Sequence, residues 1–268
     1  MPGTLPRGFF AGSSLAVAAP LLGCVLERET GEGLVAVMLT EVEAYDGADD
    51  PASHAYRGRT ARNAVMFGGP GHAYVYFTYG MHFCVNLVCR PEGTASAVLL
   101  RAGRVIQGIP LAAARRAARR NGAGPGAGAP GRPSGPRMGS SGDPGPLAGT
   151  GSAGADAAGV VSPAVERELA RGPARLCQAL GIDRGQDGAD ACAPASPLRI
   201  RAAPETASGQ PDPDISHGPR VGISAAADRP WRFWLTGDPT VSAYRPYTPR
   251  VRPKVISPPA GQDGTMHR

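Results

Sequence analysis

The chain has 268 residues, a net charge of +6, an isoelectric point near 9.4, and 38 glycines and 28 prolines. That length buries a sizeable core in one domain or two small ones, but so much glycine and proline excludes close packing of the whole chain. The basic balance favours a polyanionic partner, nucleic acid among several, and no stretch reaches the roughly 20 apolar residues of a membrane span.

Taken in chain order, residues 8–24 form an apolar run ending in Leu21-Leu22-Gly23-Cys24, the pattern of a lipoprotein-type export signal. Its charged region holds a single arginine, and strand-like sequence follows with no long linker. A cytoplasmic protein, or a nuclear one in a eukaryote, is therefore expected over an exported one. Residues 12–27 also predict a short helix capped by Ser13 or Ser14 and spoiled by Pro20. Residues 28–33 read as a turn and 34–45 as a long strand rich in Val, Leu and Met. An acidic loop follows at 46–51, and 60–66 predict one helical turn.

The glycines of 68–71 break the chain. They are no phosphate loop, because the GxxxxGK pattern and its lysine are missing. Residues 72–77 predict a strand, 78–81 a hairpin tip and 83–88 the return strand. A turn at 90–94 and a strand at 95–101 complete a run of β segments with short connections, which favours an antiparallel sheet. Residues 107–120 predict a helix with a basic surface, either a solvated face or a contact with DNA. Residues 121–160 are almost wholly Gly, Ala, Pro and Ser and predict a disordered insertion. Ser162-Pro163 opens a helix, 172–181 predict another closed by Gly181, 194–218 read as loop, and 220–223 and 231–235 are the last strand candidates. The expected fold is mixed α/β (α+β): one domain over 12–245 around a curved, mainly antiparallel sheet flanked by helices, interrupted by the 121–160 insertion. A flexible tail is expected over 246–268.

Several side chains are candidates for chemistry. Lys254 is the only lysine, so a Schiff-base enzyme would have that side chain or the amino terminus alone. The cysteines, Cys24, Cys84, Cys89, Cys177 and Cys192, are odd in number and form no CxxC pair. They indicate neither a disulfide scaffold nor a zinc site, and no metal or cofactor is expected. On a strand, Glu41, Glu43 and Tyr45 share one face. They are either a strand end emerging into solvent or a general base on a rigid element. Tyr74, Tyr76, Phe77, Tyr79 and Phe83 are either an aromatic β core or a platform on which a base stacks, with an apolar wedge at the hairpin tip. Asn86 either satisfies backbone groups or reads a base edge.

Several of these segments together resemble the alkyladenine (3-methyladenine) DNA glycosylase family of the type without a helix-hairpin-helix. The resemblance rests on Thr-Glu-Val-Glu-Ala-Tyr at 40–45, His54, Arg62-Asn63, Met66-Phe67, Tyr-Val-Tyr-Phe-Thr-Tyr-Gly-Met at 74–81 and Phe83-Cys84-Val85-Asn86. It continues through Val-Leu-Leu-Arg at 98–101, Gly-Pro-Ala-Arg-Leu-Cys-Gln-Ala-Leu at 172–180, Arg-Val-Gly at 220–222 and Arg232-Phe233. It covers about residues 12–242, the insertion apart. It implies a monomeric base-excision-repair enzyme acting on double-stranded DNA with damaged purines, such as 3-methyladenine, 7-methylguanine, hypoxanthine or ethenoadenine. Glu43 would activate water, with Arg101 beside it. Tyr45, His54 and Tyr76 would wall the flipped base, and Asn86 would disfavour normal guanine. Tyr79 would enter the minor groove, with Met81 and His82 extending the tip. The family often carries Tyr where His82 stands. A catalytically silent binder of damaged DNA is the rival reading.

Overall fold

A computed structural model describes residues 3–78, 80–120, 161–203 and 213–248. The predicted insertion at 121–160, Tyr79, Lys254 and most of the C-terminal tail lie outside these residues. Among the described residues the chain is α+β, with eight strands in one mainly antiparallel open sheet.

The strands are β1 (Val25–Thr30), β2 (Gly33–Tyr45), β3 (Ala73–Thr78), β4 (His82–Cys89), β5 (Ser96–Gln107), β6 (Leu198–Arg201), β7 (Ile215–Gly218) and β8 (Arg232–Leu235). Their order is β3-β4-β5-β2-β1-β6, with β8 also on β2 and β7 on β8. The long β2 is the organiser. One edge pairs along its length with β5, while the other is shared: Gly33–Met38 pair with β1 and Glu41–Glu43 with β8.

The hairpin β3–β4 and the return through β5 match the sequence reading. Three β segments do not. Val25–Thr30 is a strand where the sequence predicts the end of a helix and a turn; the turn is only Gly31-Glu32, and Val25 and Leu26 are buried between β2 and β6. Leu198–Arg201 and Ile215–Gly218 are short edge strands inside the predicted loop. The partner of Leu198–Arg201 lies at the far end of the chain and that of Ile215–Gly218 lies across the loop 219–231, so local composition does not announce them. Residues 220–223, a strand candidate, form a loop.

The helices are α1 (Ser14–Ala18), α2 (Ile109–Arg120), α3 (Pro163–Glu168) and α4 (Pro173–Leu180). Ser13 caps α1 by accepting from the Ala16 amide, and Gly181 closes α4 at φ 65°, a left-handed conformation that glycine adopts without steric cost. α4 packs on β4 and β5, and α1 on β2. Together they cover a core that includes Val75, Val85, Leu87, Val98, Leu100, Leu176 and Leu180. Two of the arginines of α2 are engaged within the protein: Arg115 pairs with Glu32, and Arg116 meets Gln178 on α4. Phe10, Val17, Ala18 and Leu21 belong to the same core, and Cys24 is buried behind them. The apolar run of the export-signal pattern is therefore part of the packed structure.

A β-bulge decides which side chains leave that core. Leu39 pairs with Gly103 and Glu41 with the adjacent Ala102, so Thr40 is one residue more than β5 can match. Ahead of the bulge the odd residues Val35, Val37 and Leu39 enter the core; beyond it the even residues Val42 and Ala44 do. Glu41, Glu43 and Tyr45 are thereby turned to the opposite face. Gly103 permits the close approach. A Cβ there would stand 2.4 Å from both the Met38 carbonyl oxygen and a Val37 methyl. Gly103→Ala is expected to lower stability by about 1–3 kcal/mol through overpacking, read as a lower urea midpoint at unchanged slope; an unaltered midpoint would show that the bulge absorbs the methyl.

Candidate active site

One row of side chains crosses the sheet on the face away from α1 and α4. Tyr74 on β3 pairs with Asn86 on β4, Asn86 with Leu99 on β5, Leu99 with Glu43 on β2, and Glu43 with Arg232 on β8. Over this row lies a cavity of about 260 Å³, lined by Tyr45, His54, Met66, Tyr74, Tyr76, Cys84, Asn86 and Arg101, with Val221-Gly222-Ile223 at one side.

Its aromatic walls are fixed by mutual packing. Tyr74 and Tyr76 stack at 5.6 Å between ring centres. The His54 ring meets Tyr76 edge-on at 4.6 Å, and its Nδ1 lies 3.1 Å from the Tyr74 hydroxyl. Asn63 holds the His54 loop by donating to the His54 and Gly58 carbonyls. His54 stands exposed at the mouth, yet its packed surroundings and then the Arg62 cation keep its imidazole below the usual range. Burial pushes the Tyr74 hydroxyl up to about 12, so it remains a donor at neutral pH. Asn86 is buried and donates its amide to the Tyr74 carbonyl at 3.1 Å, which is the backbone-satisfying role, while also lining the cavity.

Glu43 is fully buried behind three cavity-lining groups, two that donate hydrogen bonds to it and one that forms an ion pair with it. Its Oε1 accepts from the Val221 amide at 2.7 Å and lies 3.2 Å from Arg101 Nη1; its Oε2 accepts from the Tyr45 hydroxyl at 2.8 Å. A carboxylate offers about four lone-pair positions; Oε1 accepts from Val221 and lies against Arg101, while among the described residues Oε2 accepts only from Tyr45 and keeps one position open. Burial and then the Glu43 charge push the Tyr45 hydroxyl far above its ordinary value, so it stays protonated as the donor. Arg220, buried, lies beneath the Tyr45 ring at 4.6 Å and pairs with buried Asp50. That pair also ties the 220–223 loop to β2, because Arg220 donates to the Ala44 carbonyl.

Glu41 carries the second half of the charge cluster. Its Oε1 accepts from Arg101 Nε and Arg232 Nε, both at 2.7 Å, and from Ser242 Oγ at 2.9 Å; its Oε2 accepts from the Ser242 amide at 2.7 Å. Burial acts to raise its pKa, but Arg101 and Arg232 outweigh burial and hold it below the ordinary value. Burial likewise favours loss of the Arg101 proton, and the carboxylates of Glu43 and Glu41 reverse that, so the guanidinium is held charged more firmly than in free arginine.

The structure thus brings Glu43, Arg101, Tyr45, His54, Tyr76 and Asn86 together around one cavity. Met81 stands at the hairpin tip, 61% exposed. His82 begins β4, half-buried, with its Nδ1 unpaired. Sequence reading names Tyr74 as a candidate stacking residue and Glu41 as a candidate base beside Glu43, but it misses Cys84 and Leu99 as lining residues and gives no role to Asp50, Arg220, Arg232 or Ser242. The arginines stand in the quoted Arg-Val-Gly and Arg-Phe motifs, but only the fold supplies their carboxylate partners. Among the described residues, no group of three or more His, Cys, Asp or Glu side chains is placed to hold a metal ion.

Residues 8–239 match the family model described as methylpurine-DNA glycosylase. A protein of Streptomyces avermitilis with the provisional name 3-methyladenine DNA glycosylase is 49% identical over 252 residues, 92% of this chain and 95% of its own length. Proteins with the same provisional name are 44% identical in Leifsonia xyli subsp. xyli, over 89% of this chain and 92% of theirs, and 41% identical in Mycobacterium tuberculosis, over 86% and 89%.

Removing Glu41 leaves Arg101 and Arg232 short of countercharge in a buried setting. Glu41→Gln is expected to destabilise the protein by about 3–5 kcal/mol at neutral pH. Because the folded protein depresses this carboxyl, its stabilisation is fully present above the ordinary value of 4.5 and is lost as pH falls through the lower folded value. Urea unfolding at a series of pH values should show the gap between wild type and variant narrowing only below about that value; a gap constant into strong acid would contradict the assignment.

Proposed function

The chain belongs to the methylpurine-DNA glycosylase family, and from that premise we propose how this base-excision-repair hydrolase acts: it extrudes a damaged purine from duplex DNA into the aromatic cavity and hydrolyses its bond to the sugar with a water activated by Glu43. The observation that carries the reading is the state of Glu43. It is buried, held by two hydrogen bonds and an ion pair, with an open lone-pair position on Oε2, directly behind the wall of a cavity bounded by Tyr45, His54 and Tyr76.

The chemistry follows from that arrangement. A stacked base hides its glycosidic bond, and extruding it costs roughly a few kcal/mol. An apolar wedge at the hairpin tip offsets this by filling the gap. Met81 is exposed there, and Tyr79 is assigned the same role by its position in the family motif. The extruded purine stacks between Tyr45, His54 and Tyr76. The N-glycosidic electron pair leaves with the base as the sugar gains oxocarbenium character. Water attacks the anomeric carbon, and its proton passes to the open position on Glu43 Oε2. Arg101, held charged, orients that water and stabilises the carboxylate. An abasic site remains. Alkylation at a ring nitrogen puts a positive charge on the purine, which then leaves as a neutral base more easily than a normal one, so a permissive aromatic wall can still be selective for such lesions. Asn86, at the cavity edge, disfavours the exocyclic amine of normal guanine.

Base release from duplexes carrying one hypoxanthine or one ethenoadenine, and from methylated DNA, tests the reading. Wild type is expected to leave abasic sites. Glu43→Gln is expected to slow release by about 10²–10⁴-fold with DNA binding retained. A folded wild type that releases no base from any of the three would sink the hydrolytic reading and favour a silent binder of damaged DNA.

A further inference from the structure

Among the described residues that line the cavity Arg101 is the one arginine, and its orientation is set from behind. We propose that Ser242, acting with Glu41, is a positioning residue that holds the Arg101 guanidinium in its working pose beside Glu43. The proposal rests on the hydrolytic reading above.

Three contacts define the plane of Arg101. Its Nε donates to Glu41 Oε1 at 2.7 Å, its Nη2 to Ser242 Oγ at 3.4 Å, and its Nη1 lies 3.2 Å from Glu43 Oε1. The contacts to Glu41 and Ser242 are on the side remote from the cavity, since neither residue lines it. Ser242 is the hub of that rear support. Its amide and hydroxyl donate to the two oxygens of Glu41, its hydroxyl oxygen faces Arg101, and its carbonyl accepts from Arg232 Nη2 at 2.7 Å.

The consequence is electrostatic as well as geometric. Left alone with Glu43, a guanidinium settles into a bidentate pair, which occupies both carboxylate oxygens. Glu41 instead draws the Nε edge of Arg101 toward itself, so that Glu43 meets only Nη1 and at the longer of the two distances. One position on Glu43 Oε2 stays available for a proton. The segment that delivers Ser242 is itself secured: Asp238 pairs with Arg104, Thr240 meets buried Thr40 at 2.7 Å, and the Arg245 carbonyl accepts from the amide of Gly222 on the cavity rim. The chain after β8 therefore runs from behind the charge cluster to the mouth of the cavity.

The hydroxyl can be tested apart from the segment, because both backbone contacts of Ser242 survive side-chain replacement. The measurements are the single-turnover rate of base release and the dissociation constant for uncleaved lesion DNA, for wild type, Ser242→Ala, Ser242→Val and Ser242→Thr. Ala and Val are expected to slow release by about tenfold while the dissociation constant stays within about twofold, and Thr, which restores the hydroxyl in nearly the shape of Val, is expected to return most of the rate. Rates of Ala and Val equal to wild type would overturn the proposal. So would a loss shared equally by Val and Thr and mirrored in binding, which marks a structural role only. A wild type that releases no base would instead remove the hydrolytic reading, and this proposal with it.

Discussion

Three carboxylates, Glu41, Glu43 and Asp50, are each fully buried, and the rest of the structure follows from the need to compensate them. An unpaired buried charge costs several kcal/mol. Here each meets arginine: Glu43 and Glu41 meet Arg101, Glu41 also meets Arg232, and Asp50 meets Arg220. The arginines come from β5, β8 and the loop between β7 and β8, so the central strand cannot be satisfied until distant parts of the chain have closed on it. Three negative and three positive groups balance, which leaves the site behind the cavity near neutrality although the chain as a whole is basic.

That compensation also explains the division of labour between two glutamates one residue apart in the alternating pattern. Glu41 receives four hydrogen bonds from Arg101, Arg232 and Ser242 and has no access to the cavity. Glu43 receives fewer and is separated from the cavity only by its own partners. Preorganised groups of this kind need little reorganisation when charge develops. The rigid sheet supplies the carboxylates, while loops 46–68 and 219–223 close the walls, so small changes in the loops can alter what the cavity admits without moving the base.

Much of the fold is legible in local sequence. The β3–β4 hairpin announces itself by aromatic-rich runs around Tyr79-Gly80, α4 by Pro173 and Gly181, and β2 by its apolar length. The short strands β6 and β7 are hidden, because four residues in polar surroundings become a strand only when β1 or β8 lies beside them. Thr40 gives no local sign of a bulge either, and yet the bulge is what puts Leu39 and Glu41 on opposite faces.

The amino-acid sequence by itself determined the β3–β4 hairpin, both ends of α4 and, through long motifs in the right order, the family and most of the residues around the cavity. These are encoded locally, by alternation, turn chemistry and capping. Only the tertiary structure decided which glutamate is enclosed and which adjoins the cavity, that Arg220 lies beneath Tyr45, and that Ser242 braces Arg101. Each of those depends on side chains 60 to 201 positions apart, and no local pattern records where a buried charge finds its partner.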